Sequence, residues 1–160
     1  MSSLKSGQYV DDSRYEYLDG RLLERPAPGL EHAELQSKMQ SLLAPFGHAS
    51  GATVLAEWSI SDGTENWLTP DVTFSYKDSN VTALGYLLVP AYLVVEIRSM
   101  DQTMKDLFNK REAYRRWGVP HYWLIDPVES ACYECLPAIV PCAEKLTADQ
   151  IEIAVSGIFG

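Results

Sequence analysis

Between residues 35 and 46, Leu35, Met39, Leu42, Leu43 and Phe46 recur at i, i+4, i+7, i+8 and i+11, which lays one apolar stripe down a helix. The pattern predicts a helix from about Glu31 to Pro45, with Glu31 and His32 at the head of the stripe. Upstream, "YEYLDGRLLER" holds Asp19-Gly20 between two short runs. That is a hairpin signature, because a type I′ turn needs positive φ at both central residues. "RPAPG" then breaks the chain. Beyond the helix, "ATVLAEWSI", "PDVTFSY" and "AYLVVEIRS" read as strands. "DGTEN" is a turn between the first two, and a loop around "KDSNVTALGYLLVP" separates the second from the third. A helical period returns from about Asp101 to Trp117, with Asp101 as N-cap and Gly118 just past the C-terminus. "HYWLID" is a strand stopped by Pro127, "ACYECL" is another, and "QIEIAV" alternates as a last short strand.

This order predicts a mixed β-sheet flanked by helices, of α/β or α+β class, with an N-terminal β-hairpin. A length of 160 residues predicts a single domain over 1–160. A hydrophobic content of 46% and a charged content of 22% are ordinary for a globular protein. No apolar run approaches the ~20 residues of a membrane span, and the start has no apolar core like that of a signal peptide. A cytoplasmic protein without a membrane partner is therefore expected. The three cysteines, Cys132, Cys135 and Cys142, are an odd number in such a chain and read as reduced thiols. "CYEC" has the spacing of half a zinc site, but a closed site needs four ligands and no second pair or nearby histidine supplies them.

Charge changes the picture. The net charge is −9, which counts against tight sequence-independent nucleic-acid binding, since that runs on Lys and Arg neutralising phosphates. The cations are concentrated: Lys105, Lys110, Arg111, Arg115 and Arg116 lie within 105–116 against only Asp106 and Glu112. At 100° per residue Lys110 falls on the arc shared by Met104, Leu107, Phe108, Tyr114 and Trp117, as does Arg111, with Arg115 near its edge. An ammonium on a buried face is costly unless it meets a carboxylate.

Two carboxylates stand out. Asp71 opens a strand after Pro70, and Glu96 ends an apolar strand in "VVEIRSM", with Arg98 two residues on and therefore on the same strand face. Adjacent strands can bring Asp71 and Glu96 to one sheet edge, where paired carboxylates suit a hard cation such as Mg²⁺. Both acids also read as solvated strand ends, and His32 as a satisfied core histidine.

"TPDV", "YLVVEIRS" and "DLFNKREAYRRWGVPHYWLIDP", together with the "YEYLDGRLLE" hairpin and His32, resemble the PD-(D/E)XK nuclease superfamily and, within it, the bacterial Uma-type restriction endonucleases. The resemblance runs from about Tyr15 to Pro127. It implies a restriction-endonuclease-like fold and Mg²⁺, or Mn²⁺, held by Asp71, Glu96 and the carbonyl of Ile97. It makes Lys110 the catalytic lysine, moved from strand to helix, and puts His32, Arg98 and Tyr114, the last four residues after Lys110, at the site edge. Two departures stand out: Arg98 occupies the position of the superfamily's lysine, and Met100 that of the family's proline. The implied activity is metal-dependent hydrolysis of DNA phosphodiester bonds, with weak DNA contact because of the charge and a homodimer to cut both strands. A catalytically silent binding or assembly module that keeps the fold is the alternative, and an enzyme acting on a small phosphate ester is a third reading.

Overall fold

A computed structural model of the chain describes residues 15–76, 81, 85–88 and 91–160. Most of the loop read over 77–90 lies outside them. In chain order the described residues form β1 (Tyr15–Leu18), β2 (Arg21–Glu24), α1 (Leu30–Ser50), β3 (Ala52–Ala56), β4 (Ile60–Ser61), β5 (Trp67–Leu68), β6 (Val72–Tyr76), β7 (Leu87–Leu88), β8 (Leu93–Ile97), α2 (Met104–Phe108), α3 (Lys110–Arg116), β9 (His121–Asp126), β10 (Ala131–Glu134), β11 (Val140–Cys142), β12 (Lys145–Ala148), β13 (Ile151–Ala154) and α4 (Val155–Phe159). A six-stranded mixed sheet, order β11-β10-β9-β8-β6-β3, is flanked by a five-stranded sheet, β2-β1-β5-β4-β7, and by the pair β12-β13. The mixed α/β class with an N-terminal hairpin is thus the architecture of the chain. Strands β8 and β9 are parallel, and α2 and α3 form the crossover that parallel neighbours require.

Several boundaries differ from the pattern reading. Helix α1 runs through Pro45 to Ser50 and stops at Gly51, whose φ is 72°. Pro45 removes one intrahelical donor, but the last turns pack Phe46 and Gly47 against β3 and β6, and that burial outweighs the lost bond. The run "ATVLAEWSI" divides. β3 joins the central sheet, Glu57 takes a φ of 54°, and β4 enters the other sheet. The second helix begins later than Asp101, because Thr103 and Asp106 form a reciprocal capping box, which satisfies two of the free donors at a helix start. It is interrupted at Asn109, which keeps right-handed helical angles, and it ends before Gly118 at φ 78°. Strands β5, β7, β11 and β12 and helix α4 have no counterpart in the pattern reading, β7 lying in the stretch read as a loop. Short segments of this kind are held by docking: Ile158 of α4 is buried in the core, and Lys38 of α1 donates to its carbonyl at 2.9 Å.

Alternation along the central strands sorts side chains between two cores. Val72 and Phe74, Val95 and Ile97, and Trp123 and Ile125 face α1, α4 and the β12-β13 pair. Val94, Tyr122 and Leu124 face α2 and α3, with Ile60 and Leu68 of the second sheet. Parity therefore puts Glu96 on the side of Val94, and Asp71 on the side of Thr73. The antiparallel register Val72↔Val95, extended by one residue, sets Asp71 opposite Glu96.

Among the described residues, no helix is long and apolar enough to cross a membrane.

Candidate active site

Both carboxylates are 3% exposed. Asp71 stands where β6 emerges from Thr69-Pro70, and its side chain takes over ladder bonding there: Oδ2 accepts the Ile97 N–H at 2.6 Å. Its Oδ1 receives the Arg25 guanidinium and the His32 Nε2, each at 3.2 Å. Its carbonyl accepts Gln36 Nε2 at 2.8 Å and the Glu57 N–H at 3.1 Å. The positive φ of Glu57, a conformation L residues seldom adopt, thus belongs to the wall that holds Asp71. Burial opposes charge on His32, but the hydrogen bond to Asp71 and its negative charge more than offset this and raise the imidazole above its usual range.

Glu96 receives the Tyr114 hydroxyl at 2.7 Å and the Lys110 ammonium at 3.2 Å, both on Oε2. Burial is the largest influence on this carboxyl and raises it above the ordinary range, with Lys110 pulling the other way. The Lys110 ammonium also lies 2.9 Å from Glu16 Oε1 and 3.1 Å from Glu16 Oε2. Burial works against its charge, yet Glu16 and Glu96 outweigh that and keep it protonated beyond the usual lysine range. Burial and the charge of Glu96 likewise push the Tyr114 phenol well above its ordinary range, so it acts as a donor.

Glu16, Arg25, His32, Asp71, Glu96 and Lys110 share one pocket of about 840 Å³. Of the residues singled out in the sequence, Asp71, Glu96, Lys110, Tyr114, His32 and the backbone of Ile97 therefore meet. Arg98 does not join them. Its guanidinium lies 3.1 Å from Asp126 Oδ2, and its Nε donates to the Gln102 carbonyl at 2.9 Å. The alternatives to Lys110 are engaged elsewhere, Arg111 on the carbonyls of Cys135 and Pro137 and Arg115 on Glu112.

Glu16, Arg25, Gln36 and Glu57 went unnoticed in the sequence. Glu16 carried a weak signal, an acid inside the hairpin run "YEYL", but its partner Lys110 lies 94 positions away and nothing local marks the pairing. Among the described residues no group of three or more His, Cys, Asp or Glu side chains is arranged to hold a metal ion. Cys132 and Cys135 lie in opposite cores, and Cys142 pairs in register with Cys132 across β10 and β11.

Residues 8–138 match the family Uma2, described as "Putative restriction endonuclease". The chain belongs to the Uma2 family. The Uma2 match spans the hairpin, α1, Asp71, β8, α2 and α3, which carry pocket residues, together with β9, and leaves out β11 to α4. The crystal structure of "a putative nuclease belonging to DUF820" from Anabaena variabilis ATCC 29413 superposes with a TM-score of 0.79 at 18% identity, over 95% of this chain and 93% of that one. That likeness speaks to the fold of this Uma2 chain. A weaker one, TM-score 0.45 at 14% identity, covers 78% of this chain and 10% of a chain in a cryo-EM structure of a DrdV–DNA complex. No protein of curated function matches the sequence.

Proposed function

We propose that this Uma2 protein is a metal-dependent phosphodiesterase that hydrolyses DNA. The observation that supports this reading best is the pairing of opposed, buried Asp71 and Glu96 with a single ammonium, Lys110, 3.2 Å from Glu96. The donor set fits a hard cation. Mg²⁺ takes one or two carboxylates and completes its shell with waters and phosphate oxygens. Asp71 and Glu96 would hold it, with the Ile97 carbonyl as a further oxygen. A residue's N–H and C=O leave a strand on the same edge, and the Ile97 N–H already faces Asp71. Mn²⁺ would serve in its place. When bound, the cation supplies an activated water and charge stabilisation at the phosphate.

The chain's own residues do the rest. Tyr114 donates to Glu96 and fixes the carboxylate. Arg25 and His32 hold Asp71 from the other side. Lys110, a compact cation with rotatable donors, orients the attacking water or neutralises charge growing on the phosphate. DNA contact is weak and salt-dependent, because the chain carries a net charge of −9 and the basic side chains Arg111, Arg115 and Arg116 are already paired within the protein. A two-fold dimer would let two such sites cut both strands.

The acidic surface favours a second reading, a catalytically silent module that keeps the fold. Plasmid cleavage at low salt separates the two. Mg²⁺- or Mn²⁺-dependent nicking by the wild type, lost in Glu96→Ala, supports the nuclease. A wild type that neither cuts nor binds either cation leaves the silent module.

A further inference from the structure

The hairpin carboxylate Glu16 is 2% exposed, and its place in the fold is expensive. Burying an acid is costly unless charge and hydrogen bonds are returned to it. Here both are. One oxygen accepts the Thr69 N–H at 2.8 Å, two residues before Asp71. Both oxygens lie within 3.1 Å of the Lys110 ammonium. The hairpin is itself held down. The Asp19 N–H donates to Asn66 at 2.9 Å, and Tyr17 stacks on Trp67 with ring centroids 5.8 Å apart. A well-anchored acid therefore reaches the same ammonium that serves Glu96.

From this geometry we infer that Glu16 is a positioning residue, which keeps the Lys110 ammonium in the site when a divalent cation competes for Glu96. The inference rests on the nuclease reading above. Lys110 has two carboxylate partners. A cation drawing on Glu96 weakens one of them and adds positive charge nearby, and like charges in a buried site repel strongly. With Glu96 alone, the ammonium would lose its counter-charge and swing toward solvent. With Glu16 it retains one full counter-charge at 2.9 Å. Glu16 acts through Lys110 and is not a ligand of the cation. The same carboxylate ties down the Thr69 end of the Asp71 turn, so one residue of the N-terminal hairpin sets the relation between both halves of the site.

The test is a double-mutant cycle with Glu16→Gln and Lys110→Met, read by plasmid-cleavage kinetics, by calorimetric Mn²⁺ binding without DNA, and by thermal melting. Glu16→Gln keeps an acceptor for Thr69 and removes only the charge. It is expected to lower kcat about tenfold to a hundredfold while KM and the Mn²⁺ Kd stay within about twofold. In the Lys110→Met background it should cost nothing further, as for two residues acting as one unit. Unchanged kcat in Glu16→Gln overturns the inference. So does a loss of equal size in both backgrounds, and so does an Mn²⁺ Kd raised about tenfold, the size of effect that groups supporting a bound metal show, which would mean that Glu16 serves the cation and not Lys110 alone. If Glu16→Gln alone fails to fold, the double variant, in which both charges are gone, is compared with Lys110→Met: equal cleavage supports the inference, a further loss overturns it. A wild type without cleavage overturns the nuclease reading and this inference with it, whereas equal cleavage by wild type and Glu16→Gln overturns this inference alone.

Discussion

Arg98 is tied to Asp126, its Nη1 lying 3.1 Å from Oδ2 and 3.3 Å from Oδ1 of a carboxylate that is 1% exposed. The two residues follow Ile97 and Ile125, which are register partners on parallel strands, so they emerge side by side. Arg98 shares a parity with Glu96, but it reaches across to the next strand and leaves Glu96 to Lys110.

Arg98→Ala should therefore act on stability and Lys110→Ala on catalysis. Removing Arg98 leaves the buried Asp126 without its ion-pair partner and should cost about 3 kcal/mol, seen as a lower urea midpoint at unchanged m-value. Lys110→Ala should cut cleavage by roughly a hundredfold or more. A dead Arg98→Ala beside a fully active Lys110→Ala would mean that Arg98 does the lysine's work.

Divalent cations should stabilise the fold, because the two opposed carboxylates Asp71 and Glu96 come together only in the folded protein, and a ligand that binds the folded state alone shifts the equilibrium toward it. At a hundred times its Kd a bound cation adds about 2.7 kcal/mol by mass action. Thermal melts across millimolar Mg²⁺, Mn²⁺ and Ca²⁺ should rise, and Asp71→Asn should abolish the rise. Flat melts in all three for the wild type would remove the metal site.

Gly47 should resist substitution even though it sits inside a helix. An added Cβ would meet Val54 Cγ2 at 2.7 Å and the Ala52 carbonyl at 3.3 Å. The ordinary helical gain from Gly to Ala is about 1 kcal/mol. Overpacking against a β-branched neighbour costs about 1–3 kcal/mol, so Gly47→Ala should be net destabilising. A melting temperature at or above that of wild type would show that β3 yields.

The thiols should be slow nucleophiles in the folded protein. Burial pushes Cys132 and Cys135 up to about 12 and raises Cys142 as well. At pH 8 a thiol with a pKa of about 12 is thiolate roughly once in ten thousand molecules. Ellman's reagent should find all three only in denaturant, with the less buried Cys142 reacting first when native. Rapid native labelling of Cys132 or Cys135 would contradict their burial.

Periodicity alone determined a good deal of this protein. The stripe from Leu35 to Phe46 built α1, and Asp19-Gly20 built the hairpin, with φ of 51° and 85° at its two central residues. That Asp71 and Glu96 share a face rests instead on the register Val72↔Val95 between their strands, since a slip of one residue would turn one strand's side chains over. The helix and the hairpin are consequences of backbone geometry within a few residues, legible in a short window of the sequence. The helical arc, by contrast, offered Lys110 and Arg111 equally, with Arg115 at its edge. Only the packed structure separated them, by placing Glu16 and Glu96 beside one cation and the carbonyls of Cys135 and Pro137 beside another. Glu16 is 94 positions from Lys110 in the chain, and Arg25 is 46 from Asp71. The same is true of the corner at Glu57, the passage of α1 through Pro45, and the docking of α4. In each case a local preference is set against burial by elements distant in sequence, and the free energy that decides it exists only when those elements pack together.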